Sequence, residues 1–527
     1  MSVSDAVVPA VDDATPRPEP GLALGERLSD RLNPILVREV QQALNGRSFV
    51  ATLALALLGI VVTALVVASE GDLGRAEGRD AFVLALQVLA PILLLVVPFQ
   101  AYLSMRQEVA HGTVEHLLLS RLTSGAIVRG KLAAATVQAL LFLAVFAPLV
   151  ALTWLLRGVD VPTIAFVLGL AFVYAFGAAA LAVAMGALSR WAPVRALPML
   201  VLAVGLCVVT IGFVGGMPFI VRDLTSVLRD PDFGLQVLSV LVGPVVVGSI
   251  LLGLVASNSL AHPHENRSTS FRVFALACVL LGLAWVAYVV PSVRGLPSRV
   301  GWSALVPFAA AAGVCLFPFW WFAVTEDEAL SPRVRTLVPR SPILAAMEIP
   351  LLPGGGRGLL FTLLLCATTL GGAALGLVLA DAWGSAYDRS WIVALGLWGY
   401  VLLYAGLGRI LRGRLPRGSR GTVVARVAMP LMIGILALLP VVVDLIVRGR
   451  SWEWTPMHVL SPVSTIDHAL RGARSGRGGP ALYSGVDEAY GWLGAVTVLV
   501  LLVNVPAMIR GAVEVMRASR IRRARPR

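Results

Sequence analysis

Several short patterns in this chain hold residue types that could do chemistry. Gly125-Ala-Ile-Val-Arg-Gly130-Lys131-Leu132 follows the phosphate-cradling loop G-x-x-x-x-G-K-[ST] up to its last position. There Leu132 replaces the hydroxyl that would hold Mg²⁺. No strand pattern precedes it and an apolar run follows at once, so this reads as the start of a helix and not as a nucleotide site. His262-Pro-His264-Glu265 offers metal-ligating groups in one short turn, without the second ligand cluster that a closed site needs. Asp444 is the one acid expected inside an apolar span, where a proton or ion relay would place it. It stands four residues before Arg448, so an interfacial ion pair accounts for it. Gln87, Gln100, Gln138 and Asn504 suit helix-to-helix bonds better than ion binding. Secondary transport is therefore disfavoured.

The elements that carry these residues follow from composition. Of 527 residues 57% are hydrophobic and 14% charged, against about 25% charged in soluble domains, which excludes a soluble enzyme. Cys207, Cys278, Cys315 and Cys366 each lie in an apolar run, which excludes a disulfide scaffold. A helix needs about 20 apolar residues to cross a bilayer. Such windows recur near 49–69, 81–105, 132–156, 161–189, 196–221, 233–261, 273–293, 300–325, 358–380, 390–408, 427–443 and 489–509. The expectation is an all-α, polytopic membrane protein of about twelve transmembrane helices. Pro91, Pro98, Pro148, Pro244, Pro307, Pro430, Pro440 and Pro506 fall inside them and should bend them.

Charge placement orients the chain. With the N-terminus inside, 30 of the 43 basic residues fall on inner segments and 13 on outer ones, so both termini are expected in the cytoplasm. The tail Arg517–Arg527 then serves as an anchor on anionic lipid and not as a nucleic-acid site. The first apolar run begins only at Phe49 and is long enough to stay in the membrane, so no cleavable leader is expected. Residues 1–30 read as a disordered tail. No segment between spans is long enough for a catalytic domain of its own, so an energy source has to be a partner or a gradient.

Two cytoplasmic stretches remain. In Asn33-Pro34-Ile-Leu36-Val-Arg38-Glu39-Val40, Asn33 is a good N-cap, Pro34 suits the first helical turn, and Gly46 suits the stop. Leu36, Val40, Ala43 and Leu44 share one face, while Arg38, Glu39, Gln41 and Gln42 lie opposite. This predicts a short amphipathic helix on the membrane surface. In the loop Arg106–Leu122, Gly112 or Thr113 opens a helix whose first turn holds Glu115. Val114, Leu118 and Leu122 form a stripe that needs a docking surface, on a partner or on the bundle itself.

The order Asn33-Pro34-x-x-x-Arg38-Glu39, two spans, Glu108-x-x-x-Gly112-Thr113-x-Glu115-x-Leu117-Leu118, then Gly130-Lys131 and a third span resembles the permease subunits of type-2 ABC exporters. The resemblance covers about residues 33–260 and departs from the family at Gly125, where Pro is common, and Ala126, where Glu is common. It implies that 108–122 is a coupling helix seated in a groove of a separate ABC ATPase. Glu108, Gly112, Thr113, Glu115, Leu117, Leu118, Leu122 and Lys131 would belong to that coupling. ATP and magnesium would bind the partner, and this chain would hold no cofactor, metal or catalytic residue. The complex would sit in the cytoplasmic (inner) membrane of a prokaryote, with the permease as a homodimer or pseudo-dimer.

The expected organisation is a tail and interfacial helix over 1–48, a six-span permease-like domain over 49–261, and two spans with a cytoplasmic loop over 262–357. Four further spans follow over 358–509, with a basic tail over 510–527. Ser341-Pro342-Ile343-Leu344 echoes Asn33-Pro34-Ile35-Leu36, as in a divergent second half, but no second Gly-Thr-x-Glu follows. An unrelated extension is the preferred account of the C-terminal half. The outer loop 448–488 would cap an exit path. The exporter reading fits an amphiphilic cargo. Its rivals are a polyprenyl-phosphate-dependent glycosyltransferase, for which Glu70 and Asp72 would be the acidic pair, and a non-transporting scaffold on the same fold.

Overall fold

The computed structural model describes residues 34–69, 77–115, 123–156, 159–188, 196–228, 231–262, 265–289, 302–380, 388–448, 454–475 and 484–524. All regular structure among them is helical. The expected tail over 1–30, Asn33, the pair Glu70 and Asp72, and His264 lie outside the described residues, as does the side chain of Asp444. The chain divides into two compact units, Met1–Arg222 and Asp223–Arg527.

In the first unit a short helix, α1 (Pro34–Leu44), precedes α2 (Arg47–Ser69). The second span is α3 (Glu77–Pro91), a π-helical turn over Ile92–Val96, and α4 (Val97–Ala110). Pro91 and Pro98 flank that turn. Proline has no N–H to give to the helical ladder, and the widened turn absorbs the mismatch. Then come α5 (Ser124–Leu155), α6 (Val161–Leu188) and α7 (Ala196–Leu228), the last crossing the boundary between units. Small residues on α6 let it approach α4 closely. A Cβ on Gly186 would come within 2.8 Å of Met105 Cβ. Tyr102, Ala178, Ala182, Leu202 and Leu206 fill the core beside this contact.

The second unit holds α8 (Pro231–Leu260), α9 (Thr269–Val289), α10 (Leu305–Cys315) and α11 (Phe317–Val324). Helices α10 and α11 together make one span bent by 46°, with the break just before Pro318. Two short helices follow, α12 (Pro332–Leu337) and α13 (Pro342–Glu348). Next are α14 (Gly355–Leu379), α15 (Asp388–Arg414), α16 (Ser419–Arg448), α17 (Pro462–Ser475) and α18 (Ser484–Ala524). Among the described residues eleven helices are long and apolar enough to cross a membrane, and twelve if the bent pair counts as one span. These coincide with the twelve windows read from composition.

Trp398 is buried in the second unit's core, which also holds Phe361, Leu365, Tyr400 and Tyr404. Its indole N–H donates to the Ala309 carbonyl at 2.8 Å. Asn504 donates across to the Gly406 carbonyl at 3.1 Å, the helix-to-helix bond expected of a buried amide. On the connection between α16 and α18, the 3-10 turn Pro456–Leu460 that leads into α17 is fastened by two tyrosines of α15. Tyr400 donates to the Val459 carbonyl at 2.7 Å and Tyr404 to the Leu460 carbonyl at 2.7 Å. With 41 residues, α18 extends about 60 Å, twice the thickness of a hydrocarbon core. Its last turns leave the bundle and form a small core of their own with α12 and α13, built on Val334, Val338, Ala345, Val515 and Ala518.

At the head of α14 the chain comes against neighbouring backbone with no side chain between. A Cβ on Gly358 would lie 2.0 Å from the Ala323 carbonyl oxygen, and one on Gly356 2.5 Å from that of Ala507. Gly371, further along the same helix, has open space around it. Gly358→Ala is expected to destabilise the protein by about 3 kcal/mol or more. Gly371→Ala should shift it by less than about 1 kcal/mol. Thermal unfolding of the purified variants in detergent checks the contrast.

Candidate functional site

The residues marked in the sequence at positions 38, 39, 108 and 131 meet at one place in the first unit. Lys131, the chain's single lysine, ends the second turn of α5, and its side chain is 1% exposed. Its ammonium lies 3.0 Å from Glu39 Oε1 on α1 and 3.3 Å from Glu108 Oε2 at the end of α4. It also donates to Ser104 Oγ at 2.7 Å, and Ser104 in turn donates to Glu39 Oε2 at 2.7 Å. Arg38 closes the ring, pairing with Glu39 at 2.9 Å and with Glu108. Two cations and two anions thus form a neutral, largely buried network. One turn deeper, Gln138 donates to Gln100 and Gln100 to Thr52, joining α5, α4 and α2.

Burial by itself would raise the Glu39 carboxyl. The positive charge of Lys131 and hydrogen bonds from Arg38 and Ser104 outweigh it and hold the group below the ordinary carboxylate value. Glu39 is therefore ionised, and its partners are what make its burial tolerable.

This corrects the expected orientation of α1. Glu39 does not lie on a solvated face opposite Leu36 and Val40. Ile35 and Glu39, one turn apart, form the face that packs on the bundle, and Leu36, Val37 and Val40 are only half-buried. A buried cation on α5 outweighs the apolar pattern of α1. The helix bounds are as expected, beginning at Pro34 and ending before Gly46.

The loop after α4 begins as the sequence suggests. Gly112 has φ +71°, a left-handed conformation that ends α4 at little steric cost. Thr113 donates to the Glu108 carbonyl at 3.1 Å, and the Glu115 amide to the Gly112 carbonyl at 3.0 Å. Leu117, Leu118 and Leu122, the apolar part of the expected coupling helix, lie outside the described residues. The chain resumes at Thr123, which caps α5 by accepting from the Ala126 amide. The segment Gly125–Leu132 forms the first turns of that helix, so its amides point along the helix axis and do not form a phosphate cradle.

A second lattice of buried charge, not anticipated from the sequence, organises the second unit. After α11, three consecutive acids each meet a different arginine. Glu326 pairs with Arg272 at 2.7 Å, Asp327 with Arg412 at 3.5 Å, and Glu328 with Arg409. Arg357, fully buried at the head of α14, pairs with Glu514 of α18 at 3.3 Å. It also donates to the carbonyls of Glu328, Pro353 and Gly511. Arg272 donates to the carbonyls of Pro350 and Leu352 as well. The signal available in the sequence is the run Glu326-Asp-Glu328 at the end of a span, followed by Gly354-Gly-Gly-Arg357-Gly358.

The sequence echo between α1 and α13 does not extend to packing. Ile35 is 3% exposed, whereas Ile343, at the matching position, is 72% exposed. Gly421 and Thr422 lie in the first turn of α16, close to Arg412. Among the described residues no group of three or more His, Cys, Asp or Glu side chains is placed to hold a metal ion. Glu108, near the end of α4, and Lys131, in the opening turns of α5, thus join these two helices and tie both to α1.

Comparison with known protein families, with curated proteins and with solved structures finds no match.

Removing Lys131 leaves two carboxylates facing one half-exposed arginine. Lys131→Met is expected to destabilise the protein by about 3–5 kcal/mol, and the double variant Glu39→Gln/Lys131→Met by clearly less. A lowered Glu39 contributes stability above the ordinary carboxylate pKa, and this is lost as pH falls through the folded value. Glu39→Gln should therefore flatten the acid side of the stability profile. Unfolding temperatures measured across pH for the four proteins check both outcomes.

Proposed function

We propose that this chain is the membrane-spanning permease subunit of an ATP-driven ABC exporter, without an ATPase domain of its own. One observation carries the reading, the charge network that joins Arg38 and Glu39 of α1 to Glu108 on α4 and Lys131 on α5, the two helices that flank the 111–123 connection. A loop that transmits force must be rigid at its base and free to dock at its tip. Here the base is held by ion pairs sheltered from water, where they are strong. In this reading Glu115, Leu117, Leu118 and Leu122 are the residues that engage a groove on the partner.

In this reading a separate ABC ATPase binds ATP and magnesium, and its closure pushes on the loop. The loop cannot yield at Glu108 and Lys131, so the displacement passes into α4, α5 and α1 together. The π turn over Ile92–Val96 gives the second span a place to flex in mid-membrane. Both termini face the cytoplasm, in the cytoplasmic membrane of a prokaryote, and a second copy or the C-terminal half completes the pathway. The absence of ionisable residues from the middle of the spans in the sequence favours an amphiphilic cargo moving against the helices.

The test is capture of ABC ATPase subunits from the source cell by the tagged full-length chain. Wild type is expected to retain an ATPase partner. Leu118→Asp and Glu115→Lys should each reduce that retention about tenfold or more, as loss of a central interface anchor does, while the variants still purify as folded protein. Retention of every partner by both variants would show the coupling assignment to be wrong. A reporter fused after Arg527 should be active only in the cytoplasm.

A further inference from the structure

In the run Glu326-Asp327-Glu328, just after α11, each carboxylate takes an arginine and also a glycine amide. Glu326 accepts from Arg272, in the first turns of α9, at 2.7 Å and from the Gly354 amide at 2.9 Å. Asp327 faces Arg412 of α15 at 3.5 Å and accepts from the Gly418 amide at 2.7 Å. Glu328 pairs with Arg409 of α15 and accepts from the Gly356 amide at 2.9 Å. The Glu328 carbonyl accepts from Arg357 at 2.7 Å, and Arg357 pairs in turn with Glu514 of α18.

The donors decide what this arrangement holds. Gly354 and Gly356 open α14, and Gly418 stands just before α16. The first amides of a helix have no partner within it, and a carboxylate there meets both a free N–H and the positive helix end. Gly354 has φ +135° and Gly418 φ +95°, backbone that a side chain would strain. The side chains of Arg272, Arg412 and Arg409 are 2, 5 and 7% exposed, so none can lose its acid without leaving a buried charge unpaired. The three acids are consecutive, with neighbouring Cα atoms about 3.8 Å apart. A shift that opens one pair therefore drags on the other two.

We propose that Glu326-Asp327-Glu328 is one cooperative latch, which holds the ends of α9, α11, α14, α15, α16 and α18 as a single body. The heads of α14 and α16 then cannot part from their neighbours one at a time; this end of the second unit opens all at once or stays closed. The latch uses no residue of the charge network in the first unit, so it stands whether or not the chain is an exporter permease.

Hydrogen–deuterium exchange of the full-length protein in lipid nanodiscs, read by mass spectrometry, tests this. In wild type the segments 353–359 and 415–422 should exchange slowly, although both are helix starts. Asp327→Ala removes only the leg to Arg412 and Gly418. It should nonetheless speed exchange in both segments by about tenfold, the scale of one charge-assisted hydrogen bond, while the interior of α14 at 362–369 stays slow. Asp467→Asn, which breaks the exposed pair with Arg471 on α17, should change neither segment. If Asp327→Ala does not fold, wild type in rising denaturant decides, because the two segments should then open at one common rate. The proposal is overturned if wild type exchanges freely at both helix starts, or if Asp327→Ala affects 415–422 alone or neither segment. It is equally overturned if Asp327→Ala speeds 362–369 as much, which is general unfolding, if Asp467→Asn has the same effect, or if the wild-type segments open at different rates.

Discussion

A cation withdrawn from water at the end of a membrane helix has to find an anion within a few ångströms, and much of this architecture follows from that requirement. In the first unit the cation is Lys131, and the anions come from α1 and α4. An eleven-residue helix such as α1 would not stay helical in isolation. It is held because Glu39 is the nearest carboxylate to a buried ammonium. In the second unit the same rule acts on Arg272, Arg357, Arg409 and Arg412, and the acids come from a single turn after α11 and from α18.

Charge pairing at this density requires the backbones to come close, and the glycines at the head of α14 allow it. Arg357 reaches three carbonyls and Glu514 because Gly356 and Gly358 let α14 rest against the end of α11 and the middle of α18. A side chain at either position would push the helices apart and lengthen every contact of the lattice. The same closeness fixes the height of α12 and α13, whose small core closes on the extended end of α18. Packing and electrostatics thus constrain each other, since the ion pairs are strong only where packing excludes water.

The two halves handle similar patterns differently. Asn33-Pro34-Ile35-Leu36 and Ser341-Pro342-Ile343-Leu344 both start a short helix before a span. The first carries Glu39 five residues after its proline, in reach of Lys131, and packs on the bundle. The second carries Glu348 six residues after its proline, makes no ion pair there among the described residues, and turns Ile343 outward. One residue is 100° of helical rotation, enough to move a carboxylate from the packed face to the side. There burial raises Glu348 above the ordinary carboxylate value. A one-residue offset in the sequence thus separates the two helices, of which α1 is held by charge and α13, among the described residues, is not.

By itself the sequence determined the helical class, the positions of the spans to within a few residues, the bounds of α1 and a helix start at Gly112 or Thr113. These depend on local quantities, namely apolar length, capping types and the conformational freedom of glycine. It also marked Arg38, Glu39, Glu108 and Lys131 as separate features. Only the tertiary structure brought them together, and only it turned Glu39 inward against the apolar pattern of α1. The arginines of the second unit, read by charge placement as orientation signals, became a buried lattice for the same reason. An ion pair depends on distance in space, and residues 70 or 157 positions apart in the chain acquire a common distance only when the helices pack.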